Sequence, residues 1–270
     1  MSSEQRIEFT KDNIDLYLKE VAKAYRKLVG KDFPAEVVLI GGASILVNYG
    51  FRGMTTDVDA LIHASSGMKD AINQVGDKFD LPNGWLNSDF TKTHSYTPKL
   101  YQYAAYYRTY ANVLTVRTIA AEYLIAMKLC SGRQYKNDLS DVLGILAEHE
   151  KRGTPITMEQ IQAAVQNLYG AWDYLPESSR QFIERTMTNP HLEALYNQIA
   201  AAEKETKESL IDFEQKYPGV TNEANVNDII KSLQERKRIP LKEQLSQAQP
   251  ENEKNIQAKK TKRKRNAPEL

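Results

Sequence analysis

The stretch "LIGGASILVNYGFRGMTTDVDAL", residues 39–61, combines two adjacent glycines with two aspartates one residue apart. The β-rich run "AEVVLIGG" (35–42) stops at these glycines, and "ASILVNYG" (43–50) is typical of a short helix. "TTDVDALIHA" (55–64) then alternates between polar and apolar residues, which is typical of a strand. The sequence therefore predicts the order strand, double glycine, helix, strand.

Asp57 and Asp59 lie in the second of these predicted strands. Residues two apart on a strand point to the same side, so the two carboxylates share a face while Val58 and Ala60 point into a core. Carboxylates roughly 6–7 Å apart along a strand repel each other unless a cation lies between them. Oxygen-rich acidic sites suit hard ions, so Asp57 and Asp59 predict a Mg²⁺ site.

The double glycine fits an anion beside that metal. Glycine lets the backbone approach a bound group closely, and the N-terminus of the following helix presents free N–H groups to an anion. Gly41 and Gly42 are therefore predicted to contact a phosphate, and Ser44 adds a hydroxyl. A phosphate site next to a pair of carboxylates is what phosphoryl or nucleotidyl transfer needs.

Each part also has an ordinary explanation. A Gly-Gly pair is commonly a turn, and two aspartates separated by one residue can be a solvated strand face or a helix cap. The glycines match neither the dinucleotide-binding G-x-G-x-x-G pattern nor a P-loop. The order strand, double glycine, helix, strand with two carboxylates is more specific than any of its parts.

In this order, the stretch resembles the core of the polymerase-β-like nucleotidyltransferase superfamily. It is most similar to the bacterial minimal type found among AbiEii-like toxins and related nucleotidyltransferases. A second segment, "AEYLIAMKLCSGRQYKNDLSDVLGIL" (121–146), is similar to that group's "LLAxKLxAxR…RDLxDL" motif. The resemblance implies that Lys128 and Asp138 face the site together with Asp57 and Asp59. It also implies that Lys128 joins Gly41, Gly42 and Ser44 in binding the nucleotide.

The chain departs from the superfamily pattern in two places. Gly42 is followed by Ala43 instead of serine, and the third carboxylate of the superfamily has no clear match. Asp89 is a candidate for it, although it falls in a predicted turn. Read without the resemblance, Lys128 is also compatible with a surface lysine on an apolar helix, and Asp138 with a helix N-cap.

The predicted elements run helix, strand, helix, strand, helix, hairpin and then helices, which indicates an α/β (α+β) first half. With the resemblance, we expect a nucleotidyltransferase fold with a small mixed sheet, followed by an all-helical C-terminal region. The predicted domains are a nucleotidyltransferase domain (1–150), a helical region (151–238) and a disordered basic tail (239–270).

Charge is unevenly distributed along the 270 residues, whose formal net charge is +1. The run "KKTKRKR", Lys259 to Arg265, holds six of the 36 basic residues, so 30 basic residues face 35 acidic ones elsewhere. A mildly acidic body argues against nucleic-acid binding over the whole surface, whereas the tail is a candidate for such binding. A single cysteine, Cys130, and the lack of a long apolar run lead us to expect a cytoplasmic protein with no membrane contact.

The expected reaction is a Mg²⁺-dependent transfer of a nucleotide from an NTP to an acceptor hydroxyl. The resemblance implies an acceptor on tRNA or protein, a role as the toxin of a toxin–antitoxin or phage-defence system, and a cognate antitoxin as partner. One alternative is a degenerate nucleotide-binding module with a nucleic-acid-binding tail, favoured by Ala43 and the unmatched third carboxylate. Another is transfer to a small molecule such as an antibiotic.

Overall fold

The computed structural model describes residues 8–133, 135–222 and 225–238. By its internal contacts the chain divides into two compact units, Met1–Glu203 and Lys204–Leu270. The predicted disordered tail, 239–270, lies outside the described residues. The domain boundaries predicted at 150 and 238 stay predictions.

The helices and strands of the described residues follow the predicted order. The α-helices are α1 (Lys11–Val29), α2 (Gly41–Asn48), α3 (Gly67–Phe79), α4 (Ala121–Ser131), α5 (Asp138–Lys151), α6 (Met158–Tyr169), α7 (Glu177–Met187), α8 (Leu192–Lys216) and α9 (Val226–Arg238). The strands are β1 (Ala35–Leu39), β2 (Val58–His63), β3 (Leu86–Asn87), β4 (Ala104–Tyr110) and β5 (Leu114–Ile119). The short strand β3 was not predicted from the sequence, because two residues are too few to show an alternating pattern.

The strands form one mixed sheet in the order β3-β2-β1-β5-β4. Strand β1 is antiparallel to β2, with Leu39 opposite Ala60, and parallel to β5, with Leu39 opposite Thr118. Strand β3 is parallel to β2 and places Asn87 beside Asp59. The structure therefore confirms the predicted α+β fold, with a small mixed sheet followed by helices.

The central strands lie between two apolar cores, because alternate residues of each strand point to opposite faces of the sheet. In β1, Val37 and Leu39 join the core that contains residues of α1 and α3, whereas Val38 joins the core that contains residues of α4 to α7. In β2, Val58 and Ala60 belong to the first core and Leu61 to the second. Because Asp59 has the same parity as Leu61, its side chain lies on the α4–α5 face of the sheet.

No helix in the described part of the chain is both long enough and apolar enough to cross a membrane.

Candidate active site

The two aspartates lie at the start of β2, next to the double glycine. Asp57 immediately precedes the strand and is exposed, whereas Asp59 lies within it and is partly buried. The backbone N–H of Ile40 donates to the carbonyl of Asp59 at 2.8 Å. This bond extends the ladder between β1 and β2, so Asp59 is paired with the residue directly before Gly41.

The glycines are the first two residues of α2 (Gly41–Asn48), whereas the sequence predicted them between the strand and a helix over 43–50. Gly41 has φ +52°, in the left-handed region that favours glycine. A Cβ atom on Gly42 would lie 2.7 Å from Thr55 Oγ1 and 2.9 Å from Arg52 Nη2, so a side chain here would push Arg52 away. No side chain caps α2, which has Ile40 at its N-cap position, and the N–H groups of its first turn suit an anion.

Ser44 is turned away from solvent. Its side chain is fully buried, and its Oγ accepts a hydrogen bond from the backbone N–H of Ile119 at 3.2 Å. The hydroxyl therefore ties α2 to the end of β5. This placement gives Ser44 a structural contact, and full burial keeps its hydroxyl away from a ligand in solvent.

Lys128 is the centre of a buried network of charges. Its Nζ lies 2.8 Å from a carboxylate oxygen of Asp138 and 2.8 Å from one of Asp141. Asp141 also binds Arg52 Nη1, at 2.6 and 2.8 Å. Arg133 Nε donates to Asp138 at 2.9 Å, so cations and carboxylates alternate from Arg52 to Arg133.

Burial and pairing act in opposite directions on this network. Burial acts to lower the pKa of Lys128, but Asp138 and Asp141 outweigh it and hold that pKa above its ordinary value. Burial acts to raise the pKa of Asp138, but Lys128 and Arg133 outweigh it and bring that pKa down to about 2. Lys128 and Asp138 therefore stay charged at neutral pH, within a network of three basic side chains and two carboxylates.

The network reaches the two aspartates of β2 from both of its ends. At one end Arg52 Nη2 donates to Thr55 Oγ1 at 3.5 Å, and Thr55 Oγ1 donates to Asp57 at 3.4 Å. At the other end, the charges of Lys136 and, more weakly, Arg133 act to lower the pKa of Asp59, so both cations are near that carboxylate. The structure thus brings Asp57, Asp59 and the Lys128–Asp138 pair to the same part of the molecule.

Asp59 has the environment expected of a metal ligand. Burial is the main cause that raises its pKa, to about 6, and the neighbouring charge of Asp57 is the second. A cation held by both carboxylates would relieve that repulsion, and two carboxylates are suitable donors for Mg²⁺. The residues present therefore fit the metal that the sequence predicts.

Asp89, the candidate for a third carboxylate, is less well placed to hold a metal than Asp57 and Asp59. Asp89 lies at the start of a short 3₁₀ helix (Asp89–Lys92), and its charge contributes to raising the pKa of Asp59. Its side chain is 72% exposed and pairs with Lys92 at 2.6 Å. Within the described residues, no group of three or more His, Cys, Asp or Glu side chains is arranged to hold a metal ion.

The N-terminus of α5 is capped from a distant part of the chain. Asn137 occupies the N-cap position and Asp138 is the first helical residue, so Asp138 is not the N-cap. Glu203, on α8, accepts the backbone N–H of Leu139 at 2.9 Å and that of Ser140 at 3.3 Å. Burial raises the pKa of Glu203 to about 7, against the lowering effect of these hydrogen bonds.

Sequence reasoning overlooked Arg52, Asp141 and Glu203 as contributors to the site. Asp141 follows Asp138 by three residues on one helix face, and that spacing was the available sign of a shared partner. Arg52 and Glu203 gave no comparable sign, because their partners are 89 and 63 to 64 residues away in sequence.

Of the comparisons with known proteins, a family model matches the segment that holds this site. Residues 17–148 match the model of a family described as "nucleotidyltransferase of unknown function (DUF6036)". The match covers just under half of the chain, includes both aspartates and the buried network, and supports a nucleotidyltransferase family for this segment. No curated protein and no solved structure matches the chain. The closer resemblance to AbiEii-like toxins stays a prediction.

Proposed function

We propose that the chain is a Mg²⁺-dependent nucleotidyltransferase that moves a nucleotide from an NTP to an acceptor hydroxyl. One observation carries the proposal: Asp57 and Asp59 lie beside the uncapped N-terminus of α2, in the segment that matches a nucleotidyltransferase family. Carboxylates for a metal and N–H groups for a phosphate are thus adjacent.

In this reaction the acceptor hydroxyl oxygen forms a bond to the α-phosphorus of the NTP. The bond from that phosphorus to the bridging β-phosphate oxygen breaks, and pyrophosphate and the hydroxyl proton are released. The first-turn N–H groups at Gly41 and Gly42 bind phosphate oxygens, and the left-handed conformation of Gly41 shapes that turn. When bound, Mg²⁺ would supply positive charge against the phosphates and orient the nucleophile.

Asp57 and Asp59 would hold the metal, and the buried network keeps their surroundings fixed. Thr55 donates to Asp57, and Arg52 donates to Thr55 while it is paired with Asp141. Arg52 therefore connects the network to the strand that carries the aspartates. Preorganised charges of this kind need no rearrangement when charge develops on the transferring phosphate.

The proposal is tested by incubating the full chain with Mg²⁺ and each of the four α-³²P-labelled NTPs. Total tRNA, cell protein and small hydroxyl-bearing molecules serve as separate acceptors. Label in one acceptor class, with release of pyrophosphate, is the expected result. The absence of label in all three, from a folded protein, would contradict the proposal.

Asp57→Ala and Asp59→Ala should each abolish transfer without unfolding the protein. Removing one of two repelling carboxylates should leave the melting temperature unchanged or slightly raised in metal-free buffer. Asp77→Ala, an exposed aspartate on α3, is the matched control and should transfer like the wild type. Wild-type transfer by the Asp57→Ala Asp59→Ala double variant would rule out these ligands.

A tRNA or protein acceptor, a toxin role and a cognate antitoxin are part of the proposal through the resemblance to AbiEii-like toxins. The expected result in cells is growth arrest on expression of the wild type but not of the Asp57→Ala Asp59→Ala variant. Growth arrest by both, or by neither, would argue against a toxin that acts through this site.

A non-catalytic nucleotide-binding module is the second candidate. The observation in its favour is the position of Asp89, which is mostly exposed and paired with Lys92 instead of completing a group of three carboxylates. This candidate predicts Mg²⁺-dependent NTP binding without pyrophosphate release, which the labelling experiment distinguishes directly.

A further inference from the structure

Lys128, the most deeply buried cation of the network, is not available to a substrate. Lys128 was predicted to bind the triphosphate, yet its ammonium is paired with both Asp138 and Asp141 at 2.8 Å. Its side chain is only 11% exposed. A triphosphate reaching Lys128 would have to separate it from two carboxylates that are themselves almost completely buried. Another positive group should therefore meet the phosphates.

Arg133 is placed to do so. It follows Gly132, which ends α4 in the left-handed conformation with φ +54°. Its guanidinium uses one edge to bind Asp138, through Nε at 2.9 Å and Nη2 at 3.4 Å. No hydrogen bond from Nη1 is found within the described ranges, and the side chain is 35% exposed. One edge of the group is thus held by Asp138, and part of the side chain is accessible to solvent.

The fixed guanidinium belongs to the network that reaches the two aspartates of β2. From Arg133 the ion pairs lead to Arg52, which reaches Asp57 through Thr55. Arg133 and Asp59 both belong to the α4–α5 side of the sheet, on which Leu61 also packs. An NTP held at Asp57 and Asp59 would have this side of the sheet beside it.

The charges of the network also leave a place for an anion. Within the ion pairs of the network, Arg52, Lys128 and Arg133 share two carboxylates, those of Asp138 and Asp141. A cation held by Asp57 and Asp59 would offset the charge of that pair and leave the network with an excess of one positive charge. The most exposed of the three cations is Arg133, at 35% against 16% for Arg52 and 11% for Lys128. A planar guanidinium with a free edge can form two parallel hydrogen bonds to phosphate oxygens. Arg133 is therefore the cation of the network best suited to bind a phosphate.

We propose that Arg133 binds the triphosphate of the NTP, and that Lys128 is a positioning residue that holds Asp138 and, through it, the Arg133 guanidinium. This inference rests on the proposed nucleotide site and names the side chain that recognises its substrate. It also assigns a different task to Lys128 from the one that the sequence motif implies.

The test measures binding of α,β-methylene NTP analogues, which cannot transfer their nucleotide, to the full chain in Mg²⁺ by isothermal titration calorimetry. Arg133→Ala should weaken analogue binding roughly 10- to 100-fold, the effect of losing a hydrogen bond to a charged group. It should change the affinity for the nucleoside monophosphate much less, because the β- and γ-phosphates are absent from it.

Arg108→Ala is the matched control. Arg108 is also an exposed arginine bonded to an aspartate, Asp15, at 3.1 Å, but it lies on β4 at the far edge of the sheet from β2 and β3. Its removal changes the net charge equally and should leave analogue affinity unchanged. Arg133→Lys keeps the charge next to Asp138 but not the planar fork, and its affinity should fall between those of the wild type and Arg133→Ala. If Arg133→Ala does not fold, Arg133→Lys decides alone.

The possible outcomes separate this inference from the proposed function. If the wild type binds the analogue and Arg133→Ala or Arg133→Lys binds it with the same affinity, Arg133 does not bind the triphosphate. The proposed nucleotide site would still stand in that case. No analogue binding by the wild type would overturn both. Loss of binding in Arg133→Ala without any transfer by the wild type would support Arg133 in the non-catalytic module.

Discussion

Asp138 is completely buried between two cations, Lys128 and Arg133. Its carboxylate also accepts the backbone N–H of Arg133 at 3.2 Å. A buried carboxylate is stable only while it is paired, and its loss would leave buried positive charge behind. At the scale of single residues, Asp138 therefore links the stability of the protein to pH.

Asp138→Asn should lower the free energy of unfolding at pH 7 by about 3–5 kcal/mol, because it removes one partner of a buried ion pair. The pKa of Asp138 is about 2 in the folded protein, below its ordinary value of 3.8. Its ionised form therefore stabilises the fold above pH 4, and about 2 kcal/mol of that stability is lost as the pH falls from about 4 to 2. Urea unfolding at several pH values measures both effects.

In Asp138→Asn, the free energy of unfolding should not show the part of the decrease at low pH that Asp138 contributes in the wild type. Asp70→Asn, an exposed aspartate in the first turn of α3, is the control and should follow the wild type at every pH. Parallel pH profiles for the wild type and Asp138→Asn would show that this carboxylate is not held ionised by its neighbours.

At the scale of elements, the start of α2 depends on a glycine, Gly42, at a position with no room for a side chain. Gly42 lies against Thr55 Oγ1 and Arg52 Nη2, where an added Cβ would be closer than real contacts allow. Arg52 in turn binds Asp141 of α5. The first turn of α2 is thus packed against the side chain that connects it to the buried network.

Gly42→Ala should displace Arg52 and destabilise the protein by about 1–3 kcal/mol, as extra volume in a packed site does. It should also reduce transfer, because Arg52 and Thr55 hold the surroundings of Asp57. Gly50→Ala is the matched control, since a Cβ there meets nothing within 4 Å. Thermal melts and labelled-NTP transfer compare the two; equal behaviour would mean that Arg52 moves aside without cost.

The start of α5 depends on Glu203 of α8. Glu203→Ala leaves the N–H groups of Leu139 and Ser140 without their acceptor and should cost about 0.5–2 kcal/mol, as the loss of a helix cap does. Glu208→Ala, an exposed glutamate on the same helix, should cost much less. Urea denaturation measures the difference, and equal midpoints for the two variants would show that water replaces the cap fully.

At the scale of the whole molecule, the basic charge is concentrated in Lys259 to Arg265, whose six positive charges lie on a chain that is otherwise acidic. Such a run attracts RNA or DNA without regard to sequence, because binding releases counterions, and the attraction weakens as salt rises. This part of the chain lies outside the described residues, so the prediction about it comes from composition alone.

Truncation after Pro240 should leave the melting temperature and the rate on a small acceptor unchanged, because the removed segment has few large apolar residues to bury. It should raise the apparent KM for a nucleic-acid acceptor at low salt, and the difference should fade at high salt. Filter binding of tRNA to both proteins over a salt series is the measurement. Equal binding at low salt would exclude the tail as an acceptor-binding element.

The sequence by itself determined the order of the main elements, and it predicted a shared face for Asp57 and Asp59. Helical and alternating patterns are local: residues three or four apart meet on a helix, and residues two apart meet on a strand, whatever the rest of the fold does. The double glycine at the start of α2 is local in the same sense, since a positive φ at Gly41 restricts the residue directly.

Only the tertiary structure decided which partners the charged side chains find. Lys128 and Asp138 are ten residues apart, and their spacing was compatible with a phosphate ligand, a surface lysine or a helix cap. The packing of α4 against α5 and of α2 against the sheet buries them with Asp141 and Arg52. A buried charge must be paired with whatever lies nearest in space, and that neighbour is set by how distant segments dock, which no local pattern encodes.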